Sequence, residues 1–148
     1  MSAAPACSLV IPVYHGADTI AQVVREAEDA FRDESFEIVL VDDGSADASA
    51  EVCRDLAARS GGRVRFVGLA RNFGEHSAVL AGLRHCRGDV VVVLDDDGQH
   101  PASEALRLWR ELESGGYDVV YGRFRNKHHG RLRNFGSRLH DGLMGLLL

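Results

Sequence analysis

A chain of 148 residues, 45% of them hydrophobic and 26% charged, has the size and balance of one globular domain with a core large enough to fold unaided. Its apolar runs all fall short of the ~18 residues that cross a bilayer as a helix, so the sequence reads as non-transmembrane, and no secretory leader is expected at its start. Seventeen Lys and Arg against 22 Asp and Glu leave a formal charge of −5, which argues against nucleic acid as a partner.

The predicted elements alternate. SLVIPVY at 8–14 reads as a first strand, followed by a helix in which Ile20, Val23, Val24, Ala27 and Phe31 recur at helical spacing. FEIVLVDD at 36–43 is the second strand. Asp47 is placed to cap the helix that carries Val52 and Leu56, and Gly61 and Gly62 end it. RVRFVGL at 63–69 is the third strand, leading to a helix with Val79, Leu80 and Leu83 toward the sheet and Gly88 at its end. DVVVVLD at 89–95 is the fourth, followed by a helix that Pro101 opens, and YDVVYG at 117–122 is a fifth. Near-continuous apolar strands separated by helices imply an α/β fold with a mostly parallel sheet covered on both faces.

The last segment aligns Leu132, Phe135, Leu139 and Leu143 on one stripe, with Arg131, Arg133 and Arg138 largely off it. Positions 119–140 hold six Lys or Arg, three His and no acid, so a basic amphipathic helix facing an anionic partner is expected. Cys7, Cys53 and Cys86 are odd in number and form neither a CxxC pair nor a metal-ligand spacing with His, which reads as reduced thiols in cytosol. The apolar ending GLMGLLL has no cap or stop and is expected of a chain cut before the surface it packs on.

In an open α/β sheet, ligands sit beyond the carboxyl ends of the strands. The first strand ends in Pro12, Val13 and Tyr14, the second in VDDGSAD and the fourth in LDDDGQHP. Alternate carboxylates at Asp95 and Asp97, with the Gln99 amide oxygen nearby, suit a hard divalent cation, Mg²⁺ or Mn²⁺, that prefers oxygen ligands and would bind substrate phosphates. The alternative is a solvated acidic turn ahead of a helix. Asp42 and Asp43 are open to two readings, a strand-to-helix turn or a contact to a nucleoside. GxGxxG after the first strand and GxxxxGK[ST] are both absent. Arg71 and Asn72 follow the third strand, where a turn competes with a substrate-side role; His76 reads as a helix-face residue, His100 abuts the acidic cluster, and no nucleophile is assigned.

The ordered set VIPVY, VDDGSAD, LARNFGEHSAVLAGL, GDVVVVLDDDGQHP and YDVVYGRFRN resembles the glycosyltransferase family 2 enzymes with the GT-A fold, a three-layer α/β/α arrangement. RNFGEHSAVLAGL and GRLRNFGSRL are similar to the branch that transfers sugars to dolichyl or undecaprenyl phosphate. The resemblance runs through residues 1–148 as a single catalytic domain whose acceptor and membrane part is expected to lie further along. It implies Asp95 and Asp97 as catalytic metal ligands with Gln99 as a further ligand, and Pro12, Tyr14, Asp42, Asp43 and Arg71 around the nucleotide sugar. It implies Arg123, Arg133 and Ser137 at the acceptor and donor phosphates. Asp96 stands where many relatives carry a small apolar residue, and its role is unassigned.

The function expected from this resemblance is inverting transfer from a nucleoside diphosphate sugar, UDP-linked by preference, to a polyprenyl phosphate at the cytoplasmic face of a membrane. An anionic membrane surface is the expected partner, with a homo-oligomer as a further option. The rivals are transfer to a saccharide hydroxyl in cell-surface polysaccharide synthesis, which would need a carboxylate base, and a non-catalytic fragment that binds nucleotide sugars.

Overall fold

The computed structural model describes residues 4–122. Four strands, β1 (Cys7–Val13), β2 (Phe36–Asp42), β3 (Val64–Gly68) and β4 (Val90–Val93), alternate with four helices, α1 (Ile20–Ala30), α2 (Ser49–Arg59), α3 (Glu75–Leu83) and α4 (Ala102–Gly115). The strands form one parallel sheet in the order β3-β2-β1-β4. Successive strands thus step outward from β1 to β3, and the chain then returns to the far side of β1 for β4. That reversal puts the carboxyl ends of β1 and β4 on either side of a crevice.

β1 and β2 are buried along their whole length, which is why their sequences are apolar almost without alternation. Their side chains divide between two cores. Leu9, Ile11, Ile38 and Leu40 meet Val24, Ala27 and Phe31 of the α1 region, Cys53 of α2 and Trp109 of α4, where the Phe31 and Trp109 rings stack at 5.9 Å. Val10, Val39 and Val41 face the other way and are covered by Ala78 of α3. All three cysteines are free; burial pushes the thiols of Cys7 and Cys53 up to about 12, so both stay protonated at neutral pH.

Three expectations are corrected. The sequence pattern puts the stripe of α3 at Val79, Leu80 and Leu83, but Ala78 and Gly82 are its buried positions, and Leu80 and Leu83 are exposed. The helix lies so close to the sheet that only small residues fit beneath it. Its end comes at Leu83 rather than Gly88, because the Arg87 and Gly88 amides leave the helical pattern to donate to Glu37 Oε1 (2.7 Å) and Ser8 Oγ (2.9 Å). Residues 117–122 form no strand and do not pair with β4; Val119, Val120 and Tyr121 line a cavity of about 290 Å³ together with Val90–Val93. No helix among the described residues is long and apolar enough to cross a membrane. The basic amphipathic segment expected over 131–143 lies outside the described residues.

Candidate functional site

A cleft of about 410 Å³ opens at the carboxyl ends of the strands, lined by Pro12, Val13, Tyr14, Asp43, Asn72, Gly74, Glu75, Asp95, Asp96 and Asp97. It lies where strand order reverses, the position at which open α/β sheets bind ligands. β1 delivers one wall. Tyr14 is half exposed just past the strand, and its ring stacks on His15 with centroids 4.3 Å apart. His15 has φ of 56°, a left-handed conformation uncommon outside glycine, and its amide donates to Ser45 Oγ at 3.1 Å.

The three consecutive aspartates after β4 point to three different partners. Asp95 Oδ2 lies 2.6 Å from His100 Nδ1. Asp96 Oδ2 accepts the Tyr14 amide hydrogen at 3.0 Å, across 82 residues of chain. Asp97 Oδ1 accepts the Gln99 amide hydrogen at 2.9 Å, forming a local turn. Burial pushes the Asp96 carboxyl up, and the Asp97 and Asp95 charges add to this against the downward pull of the Tyr14 amide.

The acidic pair after β2 divides by depth. Asp43 faces the cleft, and its two oxygens accept the amide hydrogens of Phe73 (2.8 Å) and Gly74 (2.9 Å). It thereby holds the loop that starts α3. Asp42 is 3% exposed and lies beneath the cleft; Oδ2 accepts from the Ser45 amide at 3.2 Å, and Oδ1 is buried without a hydrogen-bond partner among the described residues.

Of the residues expected around the nucleotide, Pro12, Tyr14 and Asp43 converge on the cleft with Asp95 and Asp97, while Asp42, Arg71 and Gln99 do not line it. Arg71 stands over the Phe73 ring, 4.8 Å from its centroid. Gln99 is exposed. Arg123, Arg133 and Ser137 lie outside the described residues. Glu75 lines the cleft although no motif singled it out; its only signal is its place immediately after Gly74 at the start of a helix.

Among the described residues no three His, Cys, Asp or Glu side chains converge as a ready-made cage for a metal ion. The donor chemistry still suits a hard divalent cation of the Mg²⁺ kind, which takes one or two carboxylates from a protein and completes its shell with water and substrate phosphates. Asp95 and Asp97, both on the cleft wall, are the side chains that would hold it.

The description "Glycosyl transferase family 2" belongs to the family model that matches residues 8–144. The undecaprenyl-phosphate 4-deoxy-4-formamido-L-arabinose transferase of Edwardsiella ictaluri (strain 93-146) is 44% identical over 139 residues, covering 93% of this chain and 42% of its own. The enzyme of the same name from Pseudomonas fluorescens (strain SBW25) is 43% identical over 134 residues, covering 89% of this chain and 39% of its own. The chain therefore spans about two fifths of the curated relatives it matches. Among solved structures, S. aureus TarS 1-349 in complex with UDP-GlcNAc superposes with a TM-score of 0.64 at 22% identity, over 82% of this chain and 37% of that one. The mannosyltransferase PcManGT from Pyrobaculum calidifontis, in complex with GDP-Man and Mn2+, gives 0.59 at 28% identity, over 71% and 31%.

Proposed function

We propose that this chain, which belongs to glycosyl transferase family 2, is the donor-binding part of an enzyme that moves a sugar, with inversion, from a UDP-sugar to a polyprenyl phosphate at the cytoplasmic face of a membrane. The observation that carries the reading is the convergence of Pro12, Tyr14 and Asp43 with Asp95 and Asp97 in one cleft. The wall of that cleft carries an aromatic ring together with carboxylates, the two kinds of group that a nucleoside joined to a cation-neutralised diphosphate requires. The polyprenyl phosphate comes from the relatives whose name specifies undecaprenyl phosphate. The UDP-sugar agrees with the UDP-GlcNAc complex of S. aureus TarS, which shares the fold, although the PcManGT complex carries GDP-Man.

In this mechanism Tyr14 and Pro12 wall the nucleoside, and Asp43 keeps the 71–74 loop and the start of α3 against the same pocket. Asp95 and Asp97 would hold Mg²⁺ or Mn²⁺, which when bound supplies neutralisation of the charge on the departing diphosphate. A phosphate acceptor is already largely ionised at neutral pH, since its second pKa is ~6. It needs no strong base, whereas a saccharide hydroxyl would.

Calorimetry on this chain with UDP and GDP, each with and without Mn²⁺, tests the donor. UDP should bind at least about tenfold tighter than GDP, a difference of ~1.4 kcal/mol, and only with metal at full affinity. Absence of metal-dependent binding of either nucleotide would overturn the reading. Transfer from UDP-sugars to undecaprenyl phosphate by a full-length relative carrying this segment then tests the acceptor.

A further inference from the structure

We propose that Asp96, the middle aspartate of the three, is a positioning residue that sets Tyr14 against the cleft by accepting its amide hydrogen and by filling the space beside Gly16. The proposal rests on the donor reading above for what Tyr14 contacts, but not for the clamp itself.

The loop after β1 is tied from the β2 side by Ser45 Oγ, which accepts the His15 amide hydrogen at 3.1 Å, and by Asp47 Oδ2, which accepts that of Ala17 at 3.4 Å. Asp96 ties it from the β4 side, with Oδ2 at 3.0 Å from Tyr14 N. The same oxygen would stand 2.6 Å from a Cβ at position 16, so the residue there must be glycine for the carboxylate to reach its place. His15 holds a left-handed backbone, and a loop in such a conformation persists only where its surroundings over-determine it. Asp96 is one of those surroundings. Its two neighbours face other partners, His100 and the Gln99 amide, and Asp96 is the one of the three whose carboxylate accepts from the loop after β1.

An acceptor can be supplied equally by a neutral carboxamide, and this separates the two roles. The test uses the whole 148-residue chain, with UMP binding by calorimetry without metal and the exchange rate of the Tyr14 amide by NMR. Asp96→Ala should weaken UMP binding and speed Tyr14 exchange, each by about tenfold, as loss of a hydrogen bond to a charged acceptor implies. Asp96→Asn should restore both to within about threefold of the parent, because the Asn oxygen can still accept from Tyr14. Gly16→Ala, which alters no charge, should reproduce the Asp96→Ala behaviour by displacing the carboxylate. The proposal is overturned if Asp96→Asn is as damaging as Asp96→Ala, if Asp96→Ala leaves Tyr14 exchange unchanged, or if exchange quickens while UMP binding holds. If the parent chain binds neither UMP nor GMP, the donor reading fails instead, and Tyr14 exchange in the three variants alone decides whether Asp96 is the clamp.

Discussion

Gly82 of α3 lies so close to Val10 of β1 that a Cβ on the glycine would stand 2.5 Å from Val10 Cγ1 and 3.1 Å from Val41 Cγ2. The helix backbone rests there directly on the valine side chains of the sheet. Gly82→Ala gains up to about 1 kcal/mol of helix propensity but forces the two valines aside, at a cost of about 1–3 kcal/mol. The expected outcome is a net loss of stability in urea or guanidinium denaturation, with Gly82→Val worse again. A stabilised Gly82→Ala would show that α3 sits further from the sheet.

That contact also explains one limit of the sequence. β1 and β2 were legible because they are buried on both faces and are written in nearly unbroken apolar residues, and the half-buried β4 because it is four consecutive valines. In α3 the same rule misleads, because a helix pressed onto a sheet buries its smallest residues, Ala78 and Gly82, and leaves Leu80 and Leu83 outside. YDVVYG has strand composition, but composition does not provide a partner, and β4 is not hydrogen-bonded to it. The cleft was legible in part. Motif spacing marks Asp95 and Asp97, but the contact of Asp96 with Tyr14 spans 82 residues and has no local trace.

A second prediction concerns the opposite end of the sheet, where Glu37 is 1% exposed and accepts from Ser8 Oγ (2.8 Å), the Arg87 amide (2.7 Å) and Arg87 Nε (2.8 Å). Burial alone would push this carboxyl up. Hydrogen bonds from the Arg87 side chain, Ser8 and the Arg87 amide, with the Arg87 charge, outweigh it and hold the carboxyl below the usual carboxylate range. A depressed folded value means stability that is fully present above the unfolded value of ~4.3 and is lost as pH falls through the folded one. Glu37→Gln should cost about 1–3 kcal/mol at pH 7, because Ser8 and the Arg87 amide lose a charged acceptor while the half-exposed Arg87 side chain keeps its water. The gap to the parent should narrow below about pH 4, and a gap independent of pH would show that Glu37 is not ionised in the fold.

Asp97→Asn should weaken Mn²⁺-dependent UDP binding by about tenfold or more, because a hard cation prefers a charged oxygen. The fold should be unaffected, since Asp97 is exposed and Asn retains an oxygen for the Gln99 amide. Calorimetry with and without metal reads this directly, and equal affinities for UDP and Mn²⁺ in parent and variant would remove Asp97 from the metal site.

Asp43 and Asp42 should behave differently. Asp43→Ala removes the acceptor of two amides at the start of α3 and a wall of the cleft, so uridine binding without metal should fall about tenfold, with a stability loss of about 1–3 kcal/mol. Asp42 does not line the cleft, so Asp42→Ala should act on stability first. If uridine affinity drops more for Asp42→Ala than for Asp43→Ala, the deeper carboxylate reaches the nucleoside.

The remaining prediction concerns the segment 123–138, which holds six Lys or Arg and follows directly on the described residues. Packing on the sheet would account for Leu132, Phe135, Leu139 and Leu143 but gives no reason for the absence of any acid from 119 to 140. An anionic bilayer does, because each Lys or Arg near such a surface contributes ~1 kcal/mol while an apolar stripe enters the interface. Binding of this chain to vesicles rich in anionic lipid should therefore be strong at low salt. It should weaken as the screening length shortens from ~30 Å at 0.01 M to ~8 Å at 0.15 M. Arg131→Glu with Arg133→Glu should reduce it by about 10²-fold or more, since two cationic contributions are lost and two repulsions added. Co-sedimentation measures all three. If the parent chain stays in the supernatant with anionic vesicles at low salt, this segment is not a membrane-docking surface.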